Sequence, residues 1–144
     1  MIQHLVRFYL TIPLLLTLVH TAWADTTNRE IQFSPVPGIF VGGVGLKCEA
    51  NPSNILEFLL LTKDRQRIGL AVFENDDVTY DFLAITKTTP RTYIAEQENI
   101  EVVLDRQSLK LTMEQDYKCV VMSISDLHNA AKDFLRTLLS ENKI

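Results

Sequence analysis

The sequence predicts a mainly β fold: about eight antiparallel strands closing into a barrel or sandwich, with one C-terminal amphipathic α-helix packed on it. Three observations predict this. Apolar residues recur at period two through most of residues 44–122. Polar clusters cut that stretch into short runs, as the turns of an up-and-down β domain do. After residue 122 the period changes from two to that of a helix, out to about residue 141.

The strands follow in order. Leu46, Cys48 and Ala50 alternate with Lys47 and Glu49, and Asn51-Pro52-Ser53-Asn54 is a turn cluster. Residues 55–62 are apolar apart from Glu57, 63–66 form a polar turn, and 68–73 are apolar again. Glu74-Asn75-Asp76-Asp77 turns the chain into 78–86, and Thr88-Thr89-Pro90-Arg91 separates that run from 92–97. Ile100, Val102 and Leu104 face away from Glu101, Val103 and Asp105. Leu109, Leu111 and Met113, then Tyr117, Cys119 and Val121, complete the alternation. Ser123 and Asp126 form a capping box. Leu127, Ala130, Ala131, Phe134, Leu135, Leu138 and Leu139 give the helix its apolar stripe, with His128, Lys132, Asp133 and Arg136 read as its polar side. Several strands are apolar on both faces (58–61, 70–73, 82–85 and the set Val103, Val120 and Met122). One face fills the core, and the helix stripe is the economical cover for the other.

Residues 1–24 read as a cleaved signal peptide. Arg7 is the only charged side chain there, 8–19 is an apolar run, and Ala22-Trp23-Ala24 supplies the small residues a signal peptidase needs. The run is shorter than the ~20 residues of a span and contains Pro13, so no stable membrane anchor is expected after cleavage. The signal holds one of the fourteen basic residues and none of the eighteen acidic ones, which takes the formal charge from −4 to −5. That argues against nucleic acid or an anionic membrane as partner. Residues 25–43 read as an arm, polar at first and then rich in Pro and Gly around Phe33 and Phe40, and residues 44–144 as a single domain.

Cys48 and Cys119 are the only cysteines. In an exported chain they are expected to pair, and both lie on inward positions of their strands. Pairing brings the first and last strands together, as a closed barrel or tightly folded sandwich does. Export and a disulfide point to a periplasmic or secreted location.

No catalytic signature is present. His128 is the one histidine outside the signal, and it stands without a nucleophile beside it. Glu74, Asp76, Asp77 and Asp81, and Glu96, Glu98, Glu101 and Asp105, form two acidic groups. As paired carboxylates they would need a substrate cleft; as a Ca²⁺ loop they lack the ligand spacing and the glycine. No cofactor and no metal are expected. The outline of strands and helix resembles the lipocalin class of small-ligand carriers, with Gly38-Ile39-Phe40 where that class has Gly-x-Trp. A small barrel with a disulfide between early and late strands also resembles the bacterial inhibitors of C-type lysozyme, whose Ser-Gly-x-x-Tyr is absent. No functional residue carries over from either. The expectation is an exported, disulfide-stabilised binding module that engages another protein, with Phe40 of the arm and Glu74, Asp76 and Asp77 of the acidic turn as candidate contacts. Its alternatives are a carrier of a small apolar ligand and a carboxylate-based hydrolase.

Overall fold

The computed structural model describes residues 31–142; the signal peptide expected over residues 1–24 lies outside them. The chain forms β1 (Val44–Ala50), β2 (Leu56–Leu61), β3 (Arg67–Glu74), β4 (Asp77–Thr88), β5 (Thr92–Gln97), β6 (Ile100–Asp105), β7 (Lys110–Thr112), β8 (Asp116–Met122) and α1 (Ile124–Glu141), after a 3-10 turn at Gly38–Phe40. The strands run up and down in sequence order as a closed barrel. Every pairing is antiparallel, including the closing one between β1 and β8. The barrel is therefore the architecture, and the sandwich is not.

Closure follows from the cysteines' register. Cys48 pairs directly with Cys119, their Cα atoms are 3.9 Å apart, and the two form a disulfide. The Cys119 N–H bonds across to the Leu109 carbonyl, so the cysteines face each other at a non-hydrogen-bonded pair, where opposed residues approach most closely. A register shift between Ile85 and Lys87 in long β4 bends that strand toward β5.

Period two sorts the side chains into two cores. Inside the barrel lie Leu46, Cys48, Ala50, Leu59, Leu61, Ile68, Leu70, Leu83, Tyr93, Ala95, Val102, Leu104, Leu111, Tyr117 and Cys119. Eight strands enclose just enough room for such a filling. Outside, Phe58, Leu60, Val78 and Tyr80 meet Leu127, Ala131 and Leu135 of the helix and Phe40 of the arm. The helix is thus the cover the two-faced strands required, and the arm is a second cover beside it. Phe58, Phe73 and Phe134 close a triangle with ring centroids 5.3–6.0 Å apart. Gly45 lets α1 approach, since a Cβ there would lie 2.5 Å from Leu127 Cβ. Ser123 caps the helix, its Oγ accepting the Asp126 N–H at 3.0 Å.

One sequence assignment is corrected by this packing. His128 is not on an exposed polar side; it is 7% exposed, beneath the arm. Its Nε2 lies 3.1 Å from the Ser34 carbonyl and its Nδ1 2.8 Å from the Tyr80 hydroxyl. A carbonyl only accepts, so Nε2 carries the proton and Nδ1 accepts from Tyr80. Burial holds the imidazole below its ordinary pKa and pushes the Tyr80 phenol up to about 12.

Candidate functional site

In an up-and-down barrel alternate turns share an end, so turn composition gives each end a charge. The turns after β1, β3, β5 and β7 carry no Lys or Arg, and they or the strand ends beside them hold Glu49, Glu74, Asp76, Asp77, Glu96, Glu98, Glu101, Glu114 and Asp116, with Lys110 and Lys118 beside Asp116 and Glu49. At the other end, the turns after β2, β4 and β6 and the strand ends beside them hold Lys63, Arg65, Arg67, Lys87, Arg91 and Arg106 against Asp64 and Asp105. The molecule is acidic in sum, yet one end is basic.

That basic end is also where the barrel is open. A cavity of about 260 Å³ lies there, walled by Val44, Leu46, Leu61, Tyr93, Leu104, Leu109 and Val121, with Arg65 and Arg106 also lining it. The walls come from the starts of β1 and β5, the ends of β2, β6 and β8, and the β6–β7 turn. Small-molecule sites span roughly 300–1,000 Å³, so this mouth is small. A larger depression of about 750 Å³ lies on the outside of the same end, lined by Ile39, Thr62, Lys63, Asp64, Gln66 and Arg67. The β2–β3 turn stands between the two depressions.

The turn is held rigidly by its own side chains. Buried Thr62 accepts from the Gln66 and Arg67 N–H groups at 3.2 and 3.1 Å and donates to Asp64 at 2.7 Å. Asp64 accepts the Gln66 N–H at 3.0 Å. These bonds hold its carboxyl below the usual range, the Thr62 hydroxyl contributing most. Arg65, at φ 58°, donates from Nη1 to the Thr62 carbonyl at 2.7 Å. Across the mouth, Arg106 lies 4.6 Å from the Tyr93 ring centroid and donates to the Thr89 carbonyl at 3.2 Å. Asp105, its neighbour, caps its own turn through the Ser108 and Gln107 N–H groups and pairs with Arg91 at 2.6 Å. Those bonds, led by Ser108 and then Arg91, hold its carboxyl far below the usual range. Both acids at the mouth therefore turn inward on backbone, leaving Arg65 and Arg106 outside any ion pair among the described residues.

The contacts expected from sequence fall elsewhere. Phe40 is 0% exposed, its ring against Gly69, Tyr80 and Phe82, so the arm spends it on packing; exposed Ile39 and Val41 flank it. Asp77 is turned onto the arm. It accepts from the Ser34 hydroxyl, from the Ser34 N–H at 2.9 Å and from the Val78 N–H at 2.8 Å, bonds that lower its pKa, the Ser34 hydroxyl foremost. Glu74 and Asp76 remain exposed at the acidic end. The two acidic groups share that end, except that Asp105 sits at the opposite end of β6, and no three of His, Cys, Asp and Glu among the described residues are placed to hold a metal ion. Cys48 and Cys119 serve the fold as the disulfide. No family model, curated protein or solved structure matches the chain.

Proposed function

We propose that this chain is an exported, non-catalytic binding module that engages another protein through the basic end of its barrel. One observation carries the reading. At the basic end the barrel has an apolar mouth about the size of one inserted residue, set among hydrogen-bonded turns beside the exposed Ile39. Interface energy concentrates where an anchor side chain enters such a pocket, and a turn that is already ordered loses little entropy on binding. The disulfide is consistent with an oxidising compartment outside the cytoplasm.

The test is site-specific photocrosslinking in the exported fraction of the native host, with the probe at Ile39, Val121 or Glu74. Adducts of one common protein from Ile39 and Val121, absent from Glu74, are the expected result. Adducts from Glu74 alone would move the contact to the acidic end. The apolar walls of the mouth also favour a second reading, a carrier of a small apolar ligand. A small molecule retained at one-to-one stoichiometry in native mass spectrometry, with no protein adduct, would replace the first reading with that one.

A further inference from the structure

The mouth is a chemically mixed site, and its mixture narrows what can enter. We propose that it takes the C-terminal residue of a partner polypeptide, an apolar side chain seated inside and the free α-carboxylate held by Arg65 and Arg106. This rests on the reading of the basic end as the partner-binding end.

The floor and walls are aliphatic or aromatic, and the mouth's two cations are both arginines, the side chain whose donor fork matches a carboxylate. Each guanidinium is fixed by one N–H on a backbone carbonyl, Thr62 for Arg65 and Thr89 for Arg106, leaving its other donors for a ligand. The acids adjoining them in sequence, Asp64 and Asp105, are consumed by backbone N–H groups and Arg91. Two guanidinium forks lining an apolar mouth are complementary to an anion joined to an apolar group short enough for about 260 Å³. A chain terminus places a carboxylate one carbon from an apolar side chain. It can also enter end-on through a ring of strands, where a continuous segment would have to enter and leave by the same opening. Capture of a terminal carboxylate by oriented donors is an established mode of peptide recognition.

The experiment uses the oxidised mature chain, ¹⁵N-labelled and titrated with N-acetylated tetrapeptides ending in Leu or Phe, each as free acid and as C-terminal amide, and separately with octanoate. The expected result is shifts at Val44, Tyr93, Leu104 and Val121, with the free acid at least tenfold tighter than the amide. Arg65→Gln or Arg106→Gln should remove most of that preference while the remaining amide spectrum stays native. Val121→Trp, at a half-exposed rim position, should block the peptide without unfolding the barrel. Equal binding of acid and amide at the mouth overturns the carboxylate assignment but leaves the protein-binding reading standing. Octanoate binding at the mouth without any peptide binding overturns both in favour of a carrier. Peptide shifts confined to the acidic end overturn the location, and no shift from any probe overturns the proposal.

Discussion

The arm's hold on the barrel is testable through one pair of residues. Phe40 covers Gly69 on the outer face of β3, and a Cβ at Gly69 would lie 2.6 Å from Phe40 Cζ, with Cε2 and Cε1 at 3.1 and 3.3 Å. Gly69→Ala alone must displace the ring, an overpacking cost of about 1–3 kcal/mol. Phe40→Ala alone removes a fully buried ring from between Tyr80 and Phe82, a loss of about 3–5 kcal/mol. That loss is capped at the docking free energy of the arm if the arm then detaches. In the double variant the Gly69→Ala cost disappears, because nothing remains for the Cβ to strike. Alanine even regains about 0.5–1 kcal/mol of the glycine's strand penalty. The two changes should therefore be non-additive by about 1–3 kcal/mol or slightly more. Urea unfolding of the four oxidised proteins, followed by far-UV circular dichroism, measures this from midpoints at constant slope. Costs that add to within about 0.5 kcal/mol would refute the docked arm, since independent sites add that closely.

Other expectations follow from the same geometry. Reducing the Cys48–Cys119 bond should destabilise the fold by up to about 4 kcal/mol in the chain-entropy model for a sequence separation of 71, read as a lower urea midpoint. Ser123→Ala should cost about 1 kcal/mol through loss of the helix cap. The folded pKa of His128 lies below its unfolded value of about 6.5, chiefly through burial. The unfolded chain therefore takes up this proton first, and stability should fall as pH drops through 6.5 toward the folded pKa. Asp77, lowered by Ser34, acts in the same direction at more acidic pH, its contribution being lost as pH falls below about 3.8 through its folded pKa. His128→Asn should flatten the upper limb of the stability profile; an unchanged slope between pH 7.5 and 5.5 would count against a buried neutral imidazole. Glu57 faces inward opposite Cys48, with burial raising its pKa above 4.5. Its ionised form opposes folding at neutral pH, so Glu57→Gln should raise the urea midpoint at pH 7, with the gain shrinking toward pH 4.5.

The barrel was legible because β-strand periodicity is local. Alternation over much of β1, β6 and β8 carries an inside-or-outside signal, and the cysteine positions then impose closure between ends of the sequence that no local pattern connects. His128 shows where locality fails. Counted from the helix alone it stands beside Lys132 and Arg136, on the polar flank. Counted along the stripe it is four residues after Ile124, three before Ala131 and seven before Leu135, which is the spacing of a core position. The deciding fact is the arm lying over that flank, and an arm of prolines and glycines has no period to reveal its track. The same absence of period left open whether Phe40 packs on the barrel or faces outward; it packs on the barrel. The mouth was hidden differently: its walls come from five separate stretches of the chain, and Arg65 and Arg106 stand 41 positions apart, each next to an acid that masks its charge in sequence.

The two ends of the barrel are held in different ways. Along β1, Cys48 lies four residues beyond Val44, about 13 Å at the usual rise per residue. The disulfide therefore stitches the acidic half, where Ala50 and Tyr117 pair beside it, and leaves the mouth held by strand pairing and turn hydrogen bonds. Helix and arm cover the outer face and do not cross the opening, so the mouth's apolar walls stay uncovered at a place where covering them would have been simple. A barrel selected only for stability would extend a bulky side chain into that space, as Leu59, Ile68 and Tyr117 fill the rest. Instead Leu109 and Val121 leave it open, and the two carboxylates at hand are bound to their own turns rather than to Arg65 and Arg106. An unfilled apolar hollow forgoes packing that a larger side chain would supply, and the two guanidinium groups beside it keep donors open to solvent or to a ligand. Their coincidence at one end of an otherwise well-packed, acidic molecule is explained most simply by a ligand that satisfies both at once.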